Sequence, residues 1–167
     1  MKSLIEAWDE GHREFAIALG GLPDEDLWKR PHPRLLSVGE LAGHIAYWQA
    51  VWTLGDGNAK PELDQLQIQS PLIDHAFRYY TTSVDQVPNT EHPTPKTSSI
   101  TTAQVLVEVS RIHEAAKAAI AGKSKEDPHP QWGTWGNLIQ YQVFHVAYHT
   151  GQAYSVRHLL GHETEDN

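Results

Sequence analysis

The chain has no cysteine among its 167 residues, and that absence removes several chemistries together. A disulfide framework, a thiolate metal site and a cysteine nucleophile are all excluded, so any bound metal must rest on imidazole, carboxylate or water. Basic charge is scarce as well: 13 Lys and Arg stand against 21 Asp and Glu, a formal net charge of −8, and no Lys/Arg run occurs. Nucleic-acid binding, which leaves a basic footprint, is not expected. No apolar run is long enough to span a bilayer, and Met1-Lys2-Ser3-Leu4 reaches Glu6 and Asp9 before a signal-peptide core could form. A cytoplasmic protein that does not engage membranes is the expectation. What the chain does contain is 40% hydrophobic residues, six Trp, six Tyr and eleven His. That suffices for a single domain over residues 1–167 with a core of its own.

Helical periodicity or composition marks five segments, parted by loops rich in Pro, Gly, Asn and Ser. The first runs from about Ser3 to Leu19, with Leu4, Trp8, Phe15 and Leu19 on one stripe and Gly20-Gly21 as its stop. The second opens on the capping-box pattern Ser37-Val38-Gly39-Glu40 and continues through Leu41, His44, Trp48, Val51 and Trp52 to Gly55-Asp56-Gly57. A third is predicted from Ser70-Pro71 through Phe77 and Val84 towards Pro88, because serine followed by proline at the first helical position is a start signal. The fourth opens at Thr101-Thr102-Ala103-Gln104 and ends near Gly122, and the fifth covers Gly136 to Leu160 with Gly161 as its stop. Val105, Val107 and Val109 alternate as a strand would, but the capping residues before them and the alanines after them favour helix. The fold class that follows is all-α, a helical bundle.

On a helical wheel, Leu138, Tyr141, His145, His149, Gln152, Val156 and Leu159 fall within roughly 40° of one line. Two imidazoles and an amide therefore interrupt an apolar stripe. The second helix places Glu40, His44, Trp48 and Val51 together, with Leu41 and Trp52 beside them, so His44 also points inward. Side chains at i and i+4 lie about 5–6 Å apart, a spacing from which two imidazoles can reach one ion. With a third from a neighbouring helix they make a set that Zn²⁺ accepts, leaving a position open for water or substrate. Three separate core histidines, each satisfied by its own hydrogen bond, is the alternative.

The strings Ser37-Val38-Gly39-Glu40-Leu41-Ala42-Gly43-His44-Ile45-Ala46-Tyr47-Trp48 and His145-Val146-Ala147-Tyr148-His149-Thr150-Gly151-Gln152 resemble the two signature regions of the DinB/YfiT-like superfamily. The Leu22-Pro23-Asp24-Glu25 turn and the Arg157 to Gly161 ending resemble that family too. The resemblance implies a four-helix bundle of up-down-down-up topology, with long loops and room for a short extra helix. It also implies a divalent transition metal, zinc or nickel in many members, held by His44, His145 and His149. Characterised members include metal-dependent hydrolases, thiol S-transferases that use bacillithiol or a similar low-molecular-weight thiol, and a mycothiol-dependent isomerase. Many are homodimers. An unrelated DNA polymerase shares the family's name, so no DNA function is implied.

Other candidates carry two readings each. Gln152, one turn beyond His149, could orient a metal ligand or bound water, or could be a buried amide tied to backbone. Glu40, one turn before His44, could act as general base or hydrogen-bond acceptor for a ligand; membership of the Ser37 capping box is favoured. Trp28, Trp132 and Trp135 could frame a pocket mouth, though core satellites under loops are the plainer account. His113-Glu114 lacks the second histidine of H-E-x-x-H. His12, His75, His113, His158 and His162 read as structural or solvated, and His32, His92 and His129 as loop residues. The back of the last helix (Ile139, Val143, Val146, Ala147, Tyr154) is apolar as well, which predicts broad contact with another helix or a homodimer interface, with Gly151 permitting close approach. The expected activity is that of a metal-dependent enzyme. The ion would activate water or a low-molecular-weight thiol, for hydrolysis or S-transfer to a small electrophilic substrate. A non-catalytic bundle with a structural or stored metal is the alternative, although structural zinc sites usually have four protein ligands.

Overall fold

A computed structural model describes residues 1–55, 63–79 and 99–164. Four long helices form it: α1 (Lys2–Leu19), α3 (Val38–Leu54), α4 (Thr102–Ala119) and α5 (Trp135–Leu159), with the one-turn helix α2 (Asp24–Leu27) between the first two. The ends lie within about two residues of the sequence reading because cap chemistry sets them. Ser37 and Glu40 complete a full capping box at α3, Thr101 and Gln104 another at α4, and Thr134 caps α5 through Asn137 N–H. Val105 and Val109 are buried while Val107 is 63% exposed. A strand would have put all three on one face, so the helix reading holds.

Cross-helix contacts give the topology. On α1 and α4, Asp9 meets Lys117 whereas the Thr102 hydroxyl donates to the Leu22 carbonyl, so these helices are antiparallel. On α1 and α5, Gly11 lies against Val146 and the Arg157 guanidinium donates to the Ala18 and Gly20 carbonyls, which makes them parallel. That guanidinium also supplies positive charge at the C-terminus of α1, where the helix dipole favours it. α3 runs against both, with Gln49 bonded to His12 of α1 and His44 facing His149 of α5. The order is up-down-down-up.

Three expectations need correction. The third long helix is absent over its described part. Ser70 and Asp74 instead cap successive tight turns, the second a single 3₁₀ turn at His75–Phe77. The apolar residues of this segment (Leu66, Ile68, Leu72, Ile73 and Phe77) are buried at spacings that no single helical face satisfies, so the segment wraps α3 as a strap. Its predicted continuation through Val84 lies outside the described residues. The loop after α4 holds a two-residue antiparallel ribbon, Pro128–His129 with Gly133–Thr134. Finally, the apolar back of α5 meets another helix, one of the two outcomes expected for it, with Ile139 and Val146 fully buried, but the glycine that admits the close approach is Gly11, where a Cβ would lie 3.3 Å from Val146 Cγ1, and not Gly151. Gly151 is exposed, with nothing within 4 Å of a Cβ built there, and Leu159 is exposed too. No described helix is long and apolar enough to cross a membrane.

Candidate metal centre

His44 sits mid-way along α3, and His145 and His149 sit one turn apart on α5. The antiparallel packing of the two helices brings all three together. Ring centroids are 5.1 Å (His44–His145), 4.7 Å (His44–His149) and 4.6 Å (His145–His149) apart. One nitrogen from each ring lies within 4.8 Å of the others, and all three residues are buried.

The outer hydrogen bonds orient these rings. His44 Nδ1 lies 2.9 Å from the Phe77 carbonyl, which can only accept, so Nδ1 carries the proton and the lone pair is on Nε2. His149 Nδ1 lies 2.7 Å from Gln152 Oε1, with the same consequence. Metal-bound histidines show this pattern, donating the second N–H to a carbonyl or amide oxygen that fixes the tautomer. His145 Nδ1 is buried without a hydrogen-bond partner among the described residues, a cost of about 1–3 kcal/mol unless something satisfies it. Burial above all, helped by repulsion from the neighbouring imidazoles, lowers the pKa of His44 to about 3 and that of His145 to about 2; burial lowers His149 as well. All three are therefore neutral near pH 7, the state a metal ligand must have. On these grounds the donor set fits a divalent transition metal.

The cluster opens onto a cavity of about 280 Å³ walled by Trp48, Trp52, Tyr141, Phe144 and Tyr148. Trp48 and Trp52 stack at 4.7 Å, and Tyr141 lies parallel to the His145 ring at 5.8 Å. Among the described residues no fourth His, Asp or Glu joins the group. Sequence reasoning placed Trp48 and Tyr141 on the ligand stripes, and Trp52 beside one of them, without seeing the three as a cup. The spacing of Trp48 and Tyr141 one turn from His44 and His145, with Trp52 a turn further on, was the available signal.

A family model described as the DinB superfamily matches residues 7–153. The chain belongs to the DinB superfamily. No curated protein and no solved structure matches it. The matched span of this DinB chain contains the three histidines, the aromatic cup and Gln152.

The remaining candidates fall into place around that centre. Gln152 reaches His149 through Oε1 and donates through Nε2 to the Tyr148 hydroxyl at 3.3 Å. Glu40 is buried and fully engaged: its carboxylate accepts from Ser37 N–H, pairs with Arg30 and accepts from the Tyr79 hydroxyl at 3.1 Å. It is a cap and ion-pair partner, with no oxygen left over for a general base. Trp28 is a core satellite, its indole N–H donating to the Ile100 carbonyl and its ring covering Gly39. Trp132 backs the cup against Trp52 and Tyr141, whereas Trp135 packs on His129, away from it. His129 is a loop residue, as expected, but it is buried and bonded to the Trp52 carbonyl, anchoring its loop to the end of α3. No local pattern signalled that His12 and His113 stack at 3.8 Å and join Gln49 in a buried polar chain across three helices that ends on the half-exposed Asp9. His75 lies 3.0 Å from the Tyr47 hydroxyl and His162 2.7 Å from Asp26. His92 lies outside the described residues.

Proposed function

We propose that this DinB protein is a metal-dependent enzyme in which His44, His145 and His149 hold a divalent transition metal, zinc or nickel. The observation that carries the reading is the direction in which the cluster opens: three neutral imidazoles, two of them tautomerically fixed, face a cavity that no fourth ligand among the described residues closes. When bound, the metal would supply Lewis acidity and a lowered pKa for a coordinated water or low-molecular-weight thiol. The chain contributes no sulfur nucleophile of its own, so a thiol must arrive as cosubstrate. Trp48, Trp52 and Phe144 wall the cavity with apolar surface, which excludes water and suits a small electrophile with an apolar or aromatic body. Gln152 holds His149 in register and donates to the Tyr148 hydroxyl. The reaction is hydrolysis, or S-transfer to the bound electrophile. A structural metal is the weaker reading, because a closed tetrahedral site would require a fourth side chain. The Phe144 and Tyr148 rings, 59% and 50% exposed beside the cavity, are the surface on which a homodimer contact would be sought.

The test is an activity screen pairing low-molecular-weight thiols with small aromatic electrophiles, run beside ester and amide hydrolysis. Activity should vanish on chelation and return with Zn²⁺ or Ni²⁺. A turnover indifferent to chelation contradicts the proposal.

A further inference from the structure

A second cavity, of about 400 Å³, lies on the other side of Tyr148 from the aromatic cup. Its walls are apolar along Leu36, Leu41 and Val156, and Gly151 forms part of its edge. Two polar side chains of the metal centre reach it: Gln152, bonded to His149, and Tyr148, which accepts from Gln152. Among the described residues one formally charged side chain lines it, Arg34, which is exposed and forms no ion pair with any of them. On a chain with a formal net charge of −8, a lone guanidinium at the rim of an apolar cavity selects for anions, and its planar fork matches a carboxylate.

We propose that this cavity is a second small-molecule site, for a carboxylate-bearing amphiphile whose charged end pairs with Arg34 and whose apolar body lies along Leu36, Leu41 and Val156. The volume suits a metabolite-sized ligand. Tyr148 is then the partition between two ligands, one at the histidines and one beside them. Gln152 is the contact through which occupancy of the second site reaches His149. That link to chemistry rests on the metal centre proposed above; occupancy of the cavity does not.

Gly151 gives a clean test. It is helical and exposed, and a Cβ there meets nothing within 4 Å, so Gly151→Leu adds bulk at the cavity edge while improving helix propensity. Calorimetric titration of the metal-loaded protein would use 4-phenylbutyrate and octanoate against their neutral alcohols. The carboxylates should bind more tightly than the alcohols. Arg34→Gln should weaken the carboxylates by about 5-fold, the scale of an exposed ion pair, and leave the alcohols unchanged. Gly151→Leu should weaken both classes by about 10-fold or more, with metal content unaltered. Equal affinity of acid and alcohol, no binding at millimolar concentration, or indifference to Gly151→Leu would each overturn the proposal. The last result would place the carboxylates elsewhere, on the metal included. Loss of metal from the wild-type protein would count against the metal centre alone.

Discussion

Gln152 shows how much of the site depends on residues that need not touch the ion. Its Oε1 fixes the proton of His149 on Nδ1, so Gln152→Leu should free the ring to turn and weaken metal affinity about 10- to 100-fold with the fold intact. Competition against a chromogenic chelator measures this; an unchanged affinity would remove Gln152 from the centre. At this scale the sequence revealed the histidines well, because an imidazole on an apolar stripe is conspicuous. Phe77 was legible only as an apolar residue. Its functional atom is a backbone carbonyl, which every residue possesses and no pattern advertises. Glu40 was placed correctly as a cap, yet its pairing with Arg30 and Tyr79 crosses loops whose paths no local rule determines.

Helix by helix, the capping boxes and glycine stops made α1, α3, α4 and α5 readable, since those signals act within four residues. The strap at residues 63–79 defeated the same logic. Ser70-Pro71 is a legitimate start signal, but the burial of Leu72, Ile73 and Phe77 against α3 outweighs it. Gly43 records that tertiary override. A Cβ there would run into the Phe77 ring, whereas one at Gly151 would meet nothing. Helix propensity alone would make Gly→Ala stabilising at both positions by about 1 kcal/mol. Gly43→Ala should instead destabilise by about 1–2 kcal/mol, because moving a fully buried ring costs more than propensity returns. Gly151→Ala should stabilise by up to about 1 kcal/mol. Urea denaturation midpoints moving in the same direction for both would contradict this account of the strap.

Across the whole molecule, the bundle keeps histidines neutral in its interior. Burial is the main cause for His12 and His44, each lowered from 6.5 to about 3, and for His145, lowered to about 2. The unfolded chain takes up those protons near pH 6.5 and the native chain refuses them. This penalty is therefore absent above about pH 6.5, grows as the pH falls, and levels off near pH 3 for His12 and His44 and near pH 2 for His145. Each such histidine contributes up to about 1.4 kcal/mol per pH unit in that window. The Tm of chelator-treated protein should fall steadily from pH 6.5 to 4; a flat profile would mean these rings are not held neutral. The topology was legible only through the family resemblance, since periodicity defines helices but not their partners. The His12–Gln49–His113 chain was not legible at all, being assembled from three separate helices. The proposed ion is likewise shared between two segments distant in sequence, α3 and α5, so its presence is a property of the assembled bundle. Elemental analysis of purified wild-type protein and of His44→Ala, His145→Ala and His149→Ala tests that most directly. The account predicts about one transition-metal ion per wild-type chain and its loss in each variant; full metal content in all three would contradict it.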